Sequence, residues 1–315
     1  MSAASAGWRR TPDRDSVVVA SGHRHHRGGG PPGSFGGEAD NLRLRIASAA
    51  VLAPVALVGT YIGGWIFVAL CVLAAGIILF EWTMLVVRRA DRRILVPGYA
   101  ALLVGAVLAG FGLVGPAVGA IAAGAVLAAL ALTAWPQDFP ASNPILWAAG
   151  GVFYAGAVLV GPVVLRGDPQ WGLTALLFLF ATVWTTDIFA FFAGHTLDGP
   201  LLWPQVSPNK TWAGAIGGLV GGVAAGFAVA YASGVGNGLM AGIMALVLSV
   251  LAQAGDLFES AVKRRFHSKD AGQLIPGHGG LMDRLDGFLV AAFAALLIGV
   301  AREGTDAPAL GLLLW

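Results

Sequence analysis

Acidic and basic side chains recur at helical spacing near the C-terminal end of the chain. Asp256, Ser260 and Lys263 are four and then three residues apart, so one helix face would present a carboxylate, a hydroxyl and an ammonium group. Asp283 and Asp286 are three residues apart and share a face in the same way. Carboxylates bind hard divalent cations, whereas lysines and arginines bind phosphate oxygens. The pattern therefore predicts a site for nucleotidyl or phosphoryl transfer.

The segment that joins these two faces is suited to an anion. It is rich in Lys, Arg and His, and Gly277, Gly279 and Gly280 would let backbone amides approach a phosphate group. The N-terminus of the following helix would favour the same charge. The chain contains no G-x-x-x-x-G-K-[ST] sequence, which argues against a P-loop ATPase.

The elements that must position these groups are apolar helices. The chain is 57% hydrophobic and only 11% charged, against about 25% charged residues in soluble proteins. Only helices satisfy all backbone groups in long apolar runs within a bilayer. We predict an all-α, polytopic integral membrane protein with about nine transmembrane helices. The polar segments between the first four spans are short and weakly marked, so a count of eight or ten helices also stays open. The expected spans lie near residues 44–61, 63–87, 96–113, 115–135, 144–165, 171–194, 212–233, 239–262 and 281–301.

The distribution of basic residues predicts the orientation. Arginines and lysines precede the first and seventh spans and follow the second and eighth, whereas Arg166 and Arg302 would lie on the other side. By the positive-inside rule, the N-terminus and the polar site face the cytoplasm, and the plasma (inner) membrane of a prokaryote is the expected location. We divide the chain into a disordered basic tail (1–40), N-terminal transmembrane helices (41–140), a catalytic transmembrane region (141–302) and a short C-terminal tail (303–315).

Acidic residues within the predicted spans are grouped toward their cytoplasmic ends, which favours one shared polar pocket. They are Asp187, Asp256, Glu259, Asp283 and Asp286. Two other interpretations stay open: structural charges with helix-capping aspartates, or an ion or proton pathway through paired acids. Clustering at one face and the neighbouring basic residues argue against a pathway. Glu81, in the second span, has no close sequence partner and remains unexplained.

Three segments resemble the phosphatidate cytidylyltransferase family, whose members are also called CDP-diacylglycerol synthases. The longest is S-x-x-K-R-x₄-K-D-x-G-x-x-I-P-x-H-G-G-x-x-D-R-x-D, from Ser260 to Asp286. The others are T-D-I-F-A-F-F-A-G (186–194) and S-P-N-K-T-W-A-G (207–214). The resemblance is strong from about residue 140 onward. It implies the reaction of CTP with phosphatidate to give CDP-diacylglycerol and pyrophosphate. It also implies Mg²⁺ as the cofactor, with a second metal ion left open.

The resemblance also implies residue roles. The expected metal ligands are Asp256, Asp283, Asp286 and Asp187, and the expected catalytic residues are Asp256, Lys263 and Asp283. The expected substrate-binding residues are Lys210, Ser260, Arg264, Lys269, Asp270, His278 and Arg284. The chain departs from the family pattern at Asn209, where a second basic residue is common.

The expected partners are CTP, the phosphatidate lipid and the membrane, with no role for nucleic acid. Gly214, Gly218, Gly222 and Gly226 form a smooth stripe for close helix packing, within one chain or in a homodimer. Two alternative functions stay open: a transporter that uses the same acids, and a related lipid or polyprenol kinase or cytidylyltransferase with another lipid acceptor.

Overall fold

The chain folds into a bundle of apolar helices. The computed structural model describes residues 50–134, 143–268, 270–272 and 279–315. The helices are α1 (Ala50–Ile62), α2 (Gly64–Val87), α3 (Arg92–Gly110), α4 (Val114–Ala134), α5 (Pro144–Gly167), α6 (Gly172–Thr196), α7 (Trp212–Ala232), α8 (Gly238–Arg265), α9 (Met282–Glu303) and α10 (Pro308–Leu313). Within the described residues, the eight helices α2 to α9 are long and apolar enough to cross a membrane. The prediction of an all-α polytopic membrane protein is confirmed.

The first predicted span, near residues 44–61, corresponds to α1, which is shorter than the other eight candidate spans. Only its residues from Ala50 onward are described, and they are helical as far as Ile62. A count of nine spans therefore stays a prediction. The predicted N-terminal tail, Lys269 and His278 lie outside the described residues.

Short polar connections set the ends of the helices. Asp91 caps α3 by accepting a hydrogen bond from the Arg93 backbone N–H at 3.0 Å, and Arg93 also pairs with this carboxylate at 2.6 Å. This pairing lowers the pKa of Asp91, which lies between two spans. Thr211 caps α7 in the same way, since its hydroxyl accepts from Gly214 N–H at 3.0 Å.

A small hairpin precedes α7. Strands β1 (Leu201–Trp203) and β2 (Ser207–Thr211) pair in antiparallel register, with Leu201 opposite Thr211. No hairpin follows from the sequence analysis. It holds Lys210 on a short strand at the start of α7.

The glycine stripe of α7 packs against α6 of the same chain. A Cβ at Gly218 would lie only 2.9 Å from the Thr186 carbonyl oxygen, and one at Gly214 would lie 2.8 Å from that of Ala190. Glycine at these positions allows the two backbones to approach closely. The stripe therefore joins α7 to the helix that carries Asp187.

Helix α5 lies at the centre of the bundle and contacts α2, α3, α4, α6 and α9. Its first turn meets the last turn of α2, because Trp82 Nε1 donates to the Trp147 carbonyl oxygen at 2.8 Å. The Trp147 ring also contacts Phe266 after α8, with ring centroids 4.9 Å apart. The end of the bundle where α2 and α8 finish and α5 and α9 begin is called the site end below.

The opposite end is closed by the C-terminal residues. Arg166, at the end of α5, donates to the Thr60 carbonyl oxygen of α1 at 2.6 Å. The residues predicted as a short C-terminal tail include α10, whose buried residues pack against α9. Arg302 donates to the Leu314 carbonyl oxygen at 2.7 Å and stacks on Trp315.

Candidate active site

Three carboxylates meet between α8 and α9 at the site end. One oxygen from each of Asp256, Glu259 and Asp286 lies within 4.8 Å of the other two. Asp256 and Glu259 are one helical turn apart on α8. Gly255 permits the close approach of α9, since a Cβ there would lie 2.7 Å from the Asp286 carbonyl oxygen. These three carboxylate residues are called the acidic cluster below.

The acidic cluster fits a hard divalent cation. Its donors are all carboxylate oxygens, which Mg²⁺ prefers. Glu259 is only 1% exposed, and among the described residues neither of its oxygens accepts a well-aligned hydrogen bond. Lys263 lies 2.9 Å from Oε2 and offsets part of the charge, while Oε1 is left with acceptor capacity that a bound cation would use.

Lys263 joins the acidic cluster to Asp283. Its ammonium lies 2.9 Å from Glu259 Oε2, one turn earlier on α8, and 2.7 Å from Asp283 Oδ1 on α9. Asp283 Oδ2 also accepts hydrogen bonds from Gly280 N–H at 2.8 Å and from Ala271 N–H at 3.0 Å. Asp283 therefore binds the Lys263 ammonium and also backbone N–H groups on both sides of the loop between α8 and α9.

Lys210 reaches the acidic cluster from the other side. Its ammonium pairs with Asp256 Oδ2, and the Ser260 hydroxyl donates to Asp256 Oδ1 at 3.4 Å. Both members of the Lys210–Asp256 pair are partly exposed, at 29% and 34% of their side-chain area. Two ammonium groups thus flank the acidic cluster, one of them accessible from outside.

Comparison of the sequence with known proteins shows which protein family the chain belongs to. The sequence profile of the cytidylyltransferase family matches residues 43–300. The chain belongs to the cytidylyltransferase family. It is 41% identical to the phosphatidate cytidylyltransferase of Brucella suis over 278 residues, which cover 85% of this chain and 97% of that protein. The Bacillus subtilis phosphatidate cytidylyltransferase is 38% identical over 128 residues, 40% of this chain and 48% of that protein.

The remaining predicted site residues of this cytidylyltransferase lie around the acidic cluster. Asp187, in the second half of α6, is within electrostatic range of Asp256, Lys210 and Arg284. Arg284 is exposed on the first turn of α9. Arg264 donates to the Val206 carbonyl oxygen of the hairpin turn at 3.4 Å. These contacts place the hairpin, α6 and α9 around the C-terminal part of α8.

The connecting loop is described in part. Asp270 is exposed, and its carbonyl oxygen accepts a hydrogen bond from the Ser268 hydroxyl at 2.7 Å. The roles predicted for Lys269 and His278 stay predictions, because both fall outside the described ranges.

Three buried residues of the cytidylyltransferase site are absent from the predicted catalytic, substrate-binding and metal-binding residues. Glu259 belongs to the predicted polar pocket but not to the predicted metal ligands, although its position one turn before Lys263 on the same helix face could have indicated a role. Tyr154 has a buried hydroxyl with no partner among the described residues, within electrostatic range of Asp286 and Glu259. Its ring packs against Trp82, with centroids 5.0 Å apart. The third, Glu81, contacts α9 across 200 residues of sequence, which no local pattern reveals.

Proposed function

We propose that this cytidylyltransferase transfers CMP from CTP to phosphatidate, giving CDP-diacylglycerol and pyrophosphate in an Mg²⁺-dependent reaction. The observation that carries the proposal is the acidic cluster between Lys210 and Lys263, which combines cation ligands with phosphate-binding groups. The acceptor is suggested by the names of the Brucella and Bacillus relatives.

The reaction requires charge neutralisation and alignment. A phosphate oxygen of phosphatidate forms a bond to the α-phosphorus of CTP. The bond from that phosphorus to the α–β bridging oxygen breaks, and pyrophosphate leaves with the negative charge. No covalent enzyme intermediate is needed, so the side chains act by positioning the two phosphates and by offsetting their charge.

The cation ligands in this proposal are Asp256, Glu259 and Asp286, with Asp187 close enough to Asp256 to support them. A bound Mg²⁺ would supply Lewis-acid polarisation of the phosphate oxygens of CTP. Asp283 is already bound to Lys263 and to loop amides. We therefore assign Asp283 chiefly to holding Lys263 and the loop, and its use as a metal ligand would require those contacts to open.

The two lysines have different roles in the proposal. Lys210 is partly exposed and can exchange its Asp256 carboxylate for a phosphate oxygen of an incoming substrate. Lys263 is more deeply placed, at 15% exposure, and keeps two carboxylates at fixed distances. Ser260 and Arg284 lie next to these groups and would donate to phosphate oxygens.

The expected orientation of the site end in the membrane suits a lipid acceptor, phosphatidate, and a water-soluble donor, CTP. Arg88, Arg89, Arg92 and Arg93 lie at the junction of α2 and α3, at the site end. By the positive-inside rule, this end faces the cytoplasm of the plasma membrane. CTP then arrives from the cytoplasm, and phosphatidate arrives laterally from the bilayer.

Purified protein in lipid nanodiscs, given CTP, Mg²⁺ and either phosphatidate or a polyprenyl phosphate, tests the acceptor. We expect a CDP-lipid from phosphatidate only, formed roughly 100-fold or more slowly by Asp256→Asn. Product from the polyprenyl phosphate alone would refute the proposed acceptor. Absence of any CDP-lipid from the wild type, where a Brucella relative makes it, would refute the proposed reaction.

A further inference from the structure

Glu81 is a buried acid of α2 that binds the start of α9. The residue is 3% exposed. Its Oε1 accepts a hydrogen bond from Leu281 N–H at 3.0 Å, and its Oε2 accepts one from Met282 N–H at 2.8 Å. These N–H groups belong to the N-cap residue and the first residue of α9, and they have no partners within the helix. The carboxylate is also the charge that a helix N-terminus favours.

The loop before α9 is shaped around this carboxylate. A Cβ at Gly272 would lie 2.8 Å from Glu81 Oε1, and a Cβ at Gly280 would lie 2.7 Å from Oε2. At both positions a side chain would displace the acid. Because Gly280 N–H also donates to Asp283, the same short segment contacts Glu81 and a predicted catalytic residue.

Helix α2 holds the other side of the loop as well. Arg88, just after α2, donates to the carbonyl oxygen of Phe266, just after α8. Thus α2 fixes both the end of α8 and the start of α9. The cation ligands of the acidic cluster belong to these same two helices.

We propose that Glu81 is a positioning residue for cytidylyl transfer, which holds the first turn of α9 so that Asp283 and Asp286 face the groups of α8. The inference rests on the proposed function and adds a residue outside the three family-like segments. Glu81 acts through α9, since its two oxygens are already occupied by backbone N–H groups. Loss of a group that orients metal ligands costs about 10- to 100-fold in metal affinity or activity.

The test compares Glu81→Gln with Thr83→Val, two near-isosteric changes on α2. The glutamine variant keeps the side-chain size but offers one oxygen to two N–H groups. The Thr83 hydroxyl, in contrast, donates to the Leu79 carbonyl oxygen of its own helix and has no other hydrogen bond within the described residues. We measure the turnover rate, the KM for phosphatidate, the Mg²⁺ concentration for half-maximal rate, and the thermal unfolding temperature. A separate titration measures Mn²⁺ binding without substrates.

For Glu81→Gln we expect turnover to fall about 10- to 100-fold and the affinity for Mn²⁺ to fall to a similar extent. The KM for phosphatidate and the fraction of folded protein at the assay temperature should stay near those of Thr83→Val, while the unfolding temperature falls modestly because one buried N–H loses its acceptor. Equal turnover and Mn²⁺ affinity in the two variants would overturn the proposal. A loss of activity that only follows a loss of folded protein would also overturn it.

Gly280→Ala tests the same contact from the loop and keeps the proposal falsifiable where Glu81→Gln does not fold. We expect Gly280→Ala alone to impair Mn²⁺ binding in folded protein, because its Cβ would displace the Glu81 carboxylate, and unchanged Mn²⁺ affinity in this variant would contradict the proposal. Where Glu81→Ala also folds, Gly280→Ala should add little in that background, because the two changes disrupt one contact, and fully additive losses would contradict the proposal as well. If wild-type protein forms no CDP-lipid, the proposed function fails, while the Mn²⁺ titration still decides the role of Glu81.

Discussion

Replacing Lys263 with methionine is the most informative perturbation of the site. The lysine is 15% exposed and pairs with Glu259, which is 1% exposed, and with Asp283, which is 10% exposed. Removing one partner of a buried ion pair costs about 3–5 kcal/mol, because the remaining charge is left uncompensated. Because Lys263 is partly exposed to solvent, we expect a loss of unfolding free energy at the lower end of this range, about 3 kcal/mol.

Most of this cost should come from Glu259. Asp283 keeps its backbone donors, Gly280 and Ala271, whereas the Glu259 oxygens accept no well-aligned hydrogen bond within the described part of the chain. A second change, Glu259→Gln, removes the uncompensated charge. We therefore expect Lys263→Met/Glu259→Gln to recover about half or more of the lost stability while staying inactive.

The assay is thermal unfolding in nanodiscs, with and without Mg²⁺. A loss of about 3 kcal/mol corresponds to a fall of roughly 6 °C in the unfolding temperature for a chain of this size. Mg²⁺ should raise the unfolding temperature of Lys263→Met more than that of the wild type, because the site has one positive charge fewer. An unchanged unfolding temperature in Lys263→Met, or no difference between the variants in their response to Mg²⁺, would refute this reasoning.

Three further predictions follow from the contacts of single residues. Asp256→Asn should lower turnover roughly 100-fold or more while membrane insertion is unchanged, as measured by product formation and by protease protection. Gly218→Val should destabilise the α6–α7 contact by about 1–3 kcal/mol, because its Cβ would approach the Thr186 carbonyl oxygen; thermal unfolding measures this, and unchanged stability would contradict the packing. Asp91→Ala should cost about 1 kcal/mol at neutral pH through loss of the α3 cap. The folded-state pKa of Asp91 is lowered, so its contribution is present above the unfolded pKa of about 3.9 and is lost as the pH falls through the folded value. Unfolding curves of the two proteins should therefore converge in acid.

Local sequence patterns predict the helices and one face of the site. The apolar runs predict α2 to α9 because each long apolar segment must satisfy its own backbone in a bilayer. The four-residue spacing of Asp256 and Ser260 predicts their shared face, and the structure places these side chains in contact. The grouping of acids at one end of the bundle follows from the same helical positions.

Contacts between distant segments could not be predicted in this way. Glu81 and Met282 are 201 residues apart, and Lys210 and Asp256 are 46 apart, so each contact depends on how whole helices pack. The partner of Lys263 on α9 depends likewise on the close approach that Gly255 allows. The sequence pattern divides the first four spans from the catalytic region, yet α2 contacts both ends of the loop between α8 and α9 through Glu81 and Arg88.

Isotope labelling of CTP distinguishes transfer of a cytidylyl group from transfer of a phosphoryl group to the lipid phosphate. CTP labelled on either the α- or the γ-phosphorus is incubated with phosphatidate, Mg²⁺ and the purified protein. We expect the α label to enter the lipid product and the γ label to appear in pyrophosphate. Transfer of the γ label to the lipid would show phosphoryl transfer and would refute the proposed reaction.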